Sequence, residues 1–326
     1  MFERILVPLD GSPRAELILN QVARILRRED SELLFVRTVS PIADLHQSGE
    51  KESSMDTARH AAEQYIKDLV ARFKERGAHA RGRVLVGSAP ETILAVAEEE
   101  GSTMIAMTTH GRTGISRWLM GSVAEKVVRA SSVPVLLIRA FRSTAPGPSV
   151  PATAEELPFR KLLVPTDGSA ASLAVVAPAG ELAGLFASEI VVLHVERPYV
   201  ATGAILPGME AGAMSMPSEP TPSQEDEATR KAAEGFHHAG LHVTRRTVLG
   251  DPASEILDQS SGSGIDLIAL STHGRSGFSR WLTGSVTERV LRHADVPLLI
   301  VRAAGMEPDR SHPEVVDERK KVAPIR

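Results

Sequence analysis

The sequence predicts an α/β protein: two open, doubly wound, five-stranded parallel sheets in tandem. Three observations predict it. Short apolar runs alternate with amphipathic helical stretches, the pattern that builds a parallel sheet with helices on both faces. The 326 residues are enough for two domains of ordinary size, each able to bury a core. And residues 108–123, Thr-Thr-His-Gly-Arg-Thr-Gly-Ile-Ser-Arg-Trp-Leu-Met-Gly-Ser-Val, return as residues 271–286 with more than half of their positions identical. The chain therefore contains one unit twice.

In the first unit, Ile5-Leu6-Val7 ends at Pro8 and reads as a buried strand. Asp10-Gly11-Ser12 is a turn and a helix-start signal. Leu17, Ile18, Val22, Ile25 and Leu26 give residues 13–28 an amphipathic helical stripe. Leu33–Val36 is the second strand. Residues 41–55 are polar and aperiodic and read as a loop, followed by a helix over 56–76 that stops at Gly77. Ala80–Val86 is the third strand, Pro90–Glu100 the third helix and Met104–Met107 the fourth strand. A glycine-bearing loop follows, then a helix from Val123 and a fifth strand, Val133–Ile138.

Residues 141–158 are rich in Pro, Ser, Thr and Ala and read as a linker between a first domain, 1–140, and a second, 159–303. The second unit repeats the first in step. Its loop from Pro198 to Ser223 is longer, its second helix (225–238) shorter, and its fifth strand is Val296–Val301. Residues 304–326 read as a flexible, solvated tail.

Composition narrows the function. Apolar residues make up 42% and charged residues 24%, and the formal net charge is −4. Nothing in that balance favours nucleic acid or an acidic membrane as a global partner. With no cysteine, disulfides, thiolate catalysis and Cys-ligated metals are excluded. No leader pattern or spanning-length apolar run is present, so a cytoplasmic protein is expected.

Strand, glycine loop and helix start form an anion-binding arrangement, because backbone N–H groups and the positive end of the helix dipole face outward. Gly111 and Gly114 allow close approach, Gly121 and Ser122 open the helix, and Arg112 and Arg117 add charge. The same loop also reads as a plain tight connection. Asp10 and Asp167 are read as turn-capping residues or as ligand contacts. His110 and His273 have no orienting carboxylate in view and are read as hydrogen bonders rather than acid–base groups. Trp118 and Trp281 are read as packing residues.

Val-Pro-x-Asp-Gly-Ser at Val7–Ser12 and Val164–Ser169, with Thr-His-Gly-Arg-x-Gly and then Gly-Ser-Val-x-Glu in each unit, resembles the universal stress protein family in its tandem form. The resemblance implies an adenine nucleotide alpha hydrolase-like sheet of strand order 3-2-1-4-5. It implies ATP, with or without Mg²⁺, at the carboxyl ends of strands one and four. The crevice rule for doubly wound sheets points to the same place. Carried over, Asp10 and Asp167 would meet the adenosine end, and Pro8, Leu9, Pro165 and Thr166 beside them would belong to the nucleotide-binding set. The main chain at Thr38 and Val195 would face the adenine. Met107, Thr108, Gly111, Arg112, Gly121, Ser122 and Val123 would complete the nucleotide-binding set of the first unit, and Leu270, Ser271, Gly274, Arg275, Gly284, Ser285 and Val286 that of the second. The family's pattern is Gly, two residues, Gly, nine residues, Gly-Ser or Gly-Thr. Here its first glycine is Thr108 or Ser271, each adding a Cβ beside the phosphates.

The expected function is thus an adenine-nucleotide-binding stress protein that acts in stress-response signalling or protection. The alternatives are a stress protein working through protein contacts without nucleotide, and a slow ATPase. No catalytic residue is assigned: there is no Gly-x-x-x-x-Gly-Lys-Ser/Thr loop and no general base aligned with a nucleophile. The two units are expected to pack as an internal pseudo-dimer through their fifth strands, which need covering at the sheet edge. A homodimer is the further expectation.

Overall fold

The computed structural model describes residues 2–26, 31–40, 51–109, 120–139, 159–197, 222–272 and 285–303. The first unit runs β1 (Arg4–Pro8), α1 (Leu17–Ile25), β2 (Glu32–Val39), α2 (Lys51–Lys74), β3 (His79–Val86), α3 (Ala89–Glu99), β4 (Met104–Thr108), α4 (Ser122–Ala130) and β5 (Val135–Ile138). The second runs β6 (Lys161–Pro165), α5 (Ala170–Leu173), α6 (Val176–Phe186), β7 (Glu189–Glu196), α7 (Pro222–His238), β8 (Val243–Leu249), α8 (Pro252–Gly262), β9 (Leu267–Ser271), α9 (Ser285–His293) and β10 (Leu298–Val301).

The strands form one ten-stranded sheet, β3-β2-β1-β4-β5-β10-β9-β6-β7-β8. Each half has the order 3-2-1-4-5 and is parallel throughout. The halves meet where β5 and β10 pair antiparallel, with Leu136 opposite Leu299. The fifth strands therefore cover each other, which removes two sheet edges.

Alternation along the strands sends side chains to two faces. Ile5, Val7, Leu33 and Phe35 enter the core under α1 and α2, while Leu6, Leu34 and Val36 enter the core under α3 and α4. Each of these two cores runs through both units. The outer strands β3 and β8 carry arginines, the usual defence of an exposed edge. On β3, Arg81 pairs with Glu32 and Glu100, and Arg83 with Glu100 at 2.7 Å.

Three local expectations are corrected. Residues 51–55, read as loop, are the first part of α2: a mostly polar run is compatible with a helix as well as with a loop. Helix α1 begins at Leu17 rather than 13, because residues 14–19 close tight turns such as Leu19 N–H to Glu16 C=O at 3.0 Å. The matching helix of the second unit is broken between Leu173 and Val176. Pro178 accounts for the break, since its ring would strike the carbonyl of Ala174 in a continuous helix. Gly77 ends α2 as expected, at a φ of 80°.

Candidate functional site

At the carboxyl ends of β1, β2 and β4 lies a cleft of about 220 Å³, closed by the starts of α3 and α4. Pro8, Leu9, Asp10, Thr38, Met107, Thr108, Gly121, Ser122 and Val123 all line it. An equivalent cleft of about 390 Å³ in the second unit is lined by Pro165, Thr166, Asp167, Val195, Leu270, Ser271, Ser285 and Val286. The structure thus brings the described members of each expected set to one cleft. Gly111, Arg112, Gly274, Arg275 and Gly284 lie outside the described residues, as do His110, His273, Trp118 and Trp281.

The floor follows from where β1 stops. It pairs with β2 only as far as Pro8 opposite Val36, and the Leu9 N–H closes the ladder on the Val36 carbonyl at 2.8 Å. Main-chain groups alternate sides along a strand, so Thr38 directs its N–H and C=O the same way as Val36, into the opening beyond β1. The chain then turns at Gly11, whose φ of 76° is left-handed, and the Asp10 carboxylate accepts the Ser12 N–H at 2.9 Å. The Arg37 guanidinium stands where a side chain on Gly11 would go, and also lies 5.2 Å from the Tyr65 ring.

The opposite wall is the start of α4. Its cap is Gly121, in an extended conformation with φ −63° and ψ 144°, so no left-handed geometry demands glycine there. The Gly121 N–H is bonded to the Thr109 carbonyl at 2.8 Å, so the residue lines the cleft without offering that donor. The Glu125 N–H takes the Gly121 carbonyl at 2.9 Å and begins the helical ladder. Helix geometry leaves the amides between them, of Ser122, Val123 and Ala124, without an intrahelical acceptor. Those three residues line the cleft. An anion there meets N–H donors and the dipole of α4 together.

The second cleft repeats the backbone and changes the side chains. Gly168 has a φ of 74°, and the Asp167 carboxylate accepts the Ser169 N–H at 2.9 Å and its hydroxyl at 2.5 Å. Partial burial pushes the Asp167 carboxyl up, but the bonds from Ser169 and the Ser172 hydroxyl outweigh it and hold it below the ordinary carboxylate value. Thr166 Oγ1 lies 2.9 Å from Ser172 Oγ and accepts the Gly168 N–H at 3.0 Å. His194 Nδ1 lies 2.9 Å from the Thr166 carbonyl, so that nitrogen carries the proton and donates. The Thr287 hydroxyl donates to the Ser271 carbonyl at 3.2 Å.

Sequence reasoning missed several lining residues. Ala15, Ile93 and Ala124 in the first cleft, and Ser172, Arg197, Ile256 and Thr287 in the second, fall outside the fixed positions of the motifs and come to the clefts through the fold. The register of the duplication was the available signal, since Ile93 and Ile256 hold matching places in α3 and α8.

Comparison with known proteins now bears on this geometry. Residues 1–139 and again residues 158–302 match the sequence profile described as the universal stress protein family. The chain belongs to the universal stress protein family. A universal stress protein of Methanocaldococcus jannaschii is 32% identical over 151 residues, covering 46% of this chain and 85% of that protein. One from Mycolicibacterium smegmatis is 25% identical over 310 residues, covering 91% of this chain and 96% of that one, so the tandem form is shared. The crystal structure of a universal stress protein from Archaeoglobus fulgidus superposes with a TM-score of 0.68 at 18% identity, covering 93% of this chain and 99% of that one. That likeness concerns the fold.

Proposed function

We propose that this universal stress protein binds an adenine nucleotide, with ATP as the reference ligand, and acts through it in stress-response signalling or protection. The observation that carries the reading is the first cleft. Amides at the start of α4, with no intrahelical acceptor, lie across a cavity at the strand ends from the main chain of Thr38. The Thr38 main chain offers one donor and one acceptor to the edge of the base. Asp10 is the one titratable side chain among the described lining residues, and suits ribose hydroxyls or a phosphate-bound Mg²⁺. The cavity falls below the roughly 300–1,000 Å³ of common small-molecule pockets. It therefore takes the nucleoside, with the phosphates extending over the N-terminus of α4. Binding rather than turnover is the reading, because the described lining residues pair no base with a nucleophile.

A second reading, protein contacts without nucleotide, draws on Thr108 in place of glycine and on the engaged Gly121 N–H. Titration calorimetry with ATP, with and without Mg²⁺, separates the two. Saturable binding well below millimolar ATP is expected. Absence of heat at millimolar ATP would remove the nucleotide reading and leave the second.

A further inference from the structure

In the first cleft, Thr38 Oγ1 is closed off from solvent and has no hydrogen-bond partner among the described residues. A buried hydroxyl in that state is costly, and native proteins rarely retain one without a use. Thr38 points to the α3 and α4 side of the sheet, as its neighbour Val36 does, and lines the cavity with Ala89 and Ile93. Turning χ1 by one staggered step exchanges its hydroxyl and methyl positions, so the same side chain can present its oxygen to the cavity. At the matching place in the second cleft stands Val195, which has the same shape and no polar atom.

The threonine hydroxyls of the second cleft are already engaged. Thr166 bonds to Ser172 and Gly168, and Thr287 to the Ser271 carbonyl. Leu9, Ala15 and Ala124 take those places in the first cleft and compete for nothing. Arg197 adds a cation to the second cleft, but it is exposed and its pull is screened by solvent.

We propose that the Thr38 hydroxyl contacts the base and sets affinity, so that the first cleft is the tight nucleotide site and the second binds the same ligand more weakly. The inference rests on the nucleotide reading above and adds a difference between the two sites. A hydroxyl is both donor and acceptor, so it can meet either a ring nitrogen or the exocyclic amine of adenine. Filling that need on binding repays a cost carried by the empty protein.

The test is calorimetry of the full chain with ATP on wild type, Thr38→Val and Thr38→Ser, alongside thermal unfolding without ligand. Wild type is expected to show two classes of site. Thr38→Val should weaken the tighter class about threefold to tenfold. It should also raise the melting temperature of the ligand-free protein, because it removes an unsatisfied hydroxyl. Thr38→Ser, which keeps the oxygen, should stay near wild-type affinity. A purely structural Thr38 would move the melting temperature and leave the isotherm unchanged. Unchanged affinity in Thr38→Val, or two equal sites in wild type, overturns this inference and leaves the nucleotide reading standing. No binding in any variant overturns both.

Discussion

The first cleft sets Leu9, Ala15, Thr38 and Ala124 where the second sets Thr166, Ser172, Val195 and Thr287. The backbones beneath them are alike: both strand-one turns use a left-handed glycine, and both clefts end at the start of a helix after the fourth strand. What differs is where the hydroxyls are and whether they are occupied. The second cleft holds three at these positions, each bonded within the protein. The first holds one, and it has no partner among the described residues. Duplication preserved a scaffold that presents main-chain groups, while the side chains diverged toward internal bonding in one copy and unmet capacity in the other. Loss of a buried partner costs about 1–3 kcal/mol, so the unmet group is the more informative of the two.

The largest expected effect lies where the two units are the same. Leu136 and Leu299 are opposite each other across the β5–β10 seam, and both are fully buried. Truncating either to alanine should cost about 2–5 kcal/mol. The double variant should cost less than the sum, because both changes empty one shared space. Denaturant titrations of the two singles and the double would show this. Strictly additive losses would mean the seam does not couple the units.

A smaller effect sharpens the contrast between clefts. Ser122→Pro deletes one N–H from the start of α4 while keeping the helix, since proline is favoured at that first position and Gly121 is already extended. Losing one bond from an amide to a phosphate should weaken ATP binding roughly tenfold or more. Ser285→Pro should act only on the weaker class of site. Equal effects of the two changes would erase the distinction.

The two glycine turns offer a finer comparison. Both Gly11→Ala and Gly168→Ala place a side chain at a left-handed φ, a strain of roughly 1–2 kcal/mol. At Gly11 the new methyl meets the movable end of Arg37. At Gly168 it meets the Cβ and backbone of Ala228 on α7, 2.9 and 3.1 Å away. Gly168→Ala should therefore lower the melting temperature more. The reverse order would place the weaker support in the first unit.

The smallest effect concerns pH. The folded-state value of Asp167 lies below its ordinary 3.8, so its stabilisation is present above that value and is lost as pH falls through the folded one. Asp167→Asn should be slightly less stable than wild type at neutral pH. The gap should vanish under strong acid. A gap that persists there would assign the effect to packing and not to charge.

Much of this was legible in the residues. The repeat of 108–123 gave the tandem form, and the turn signals at Asp10-Gly11 and Asp167-Gly168 marked the strand ends that floor both clefts. The need to cover an edge strand anticipated the pairing of β5 with β10, though not that it would fuse the halves into one sheet. Other features required coordinates. The mostly polar residues 51–55 are equally compatible with loop and helix, so periodicity could not find the start of α2. Thr38 was placed by its main chain alone, because a threonine in a strand is ordinary until its hydroxyl is found without a partner. The capture of the Gly121 N–H by Thr109 is a tertiary bond that no motif encodes.

The most direct test of the central claim is a crystal structure of the full chain grown with ATP and Mg²⁺. The account predicts a nucleotide in the first cleft, its base beside Thr38 and a phosphate oxygen within hydrogen-bond distance of the Ser122 or Val123 amide. Clefts left empty at saturating ATP, or a nucleotide bound elsewhere on the molecule, would contradict it.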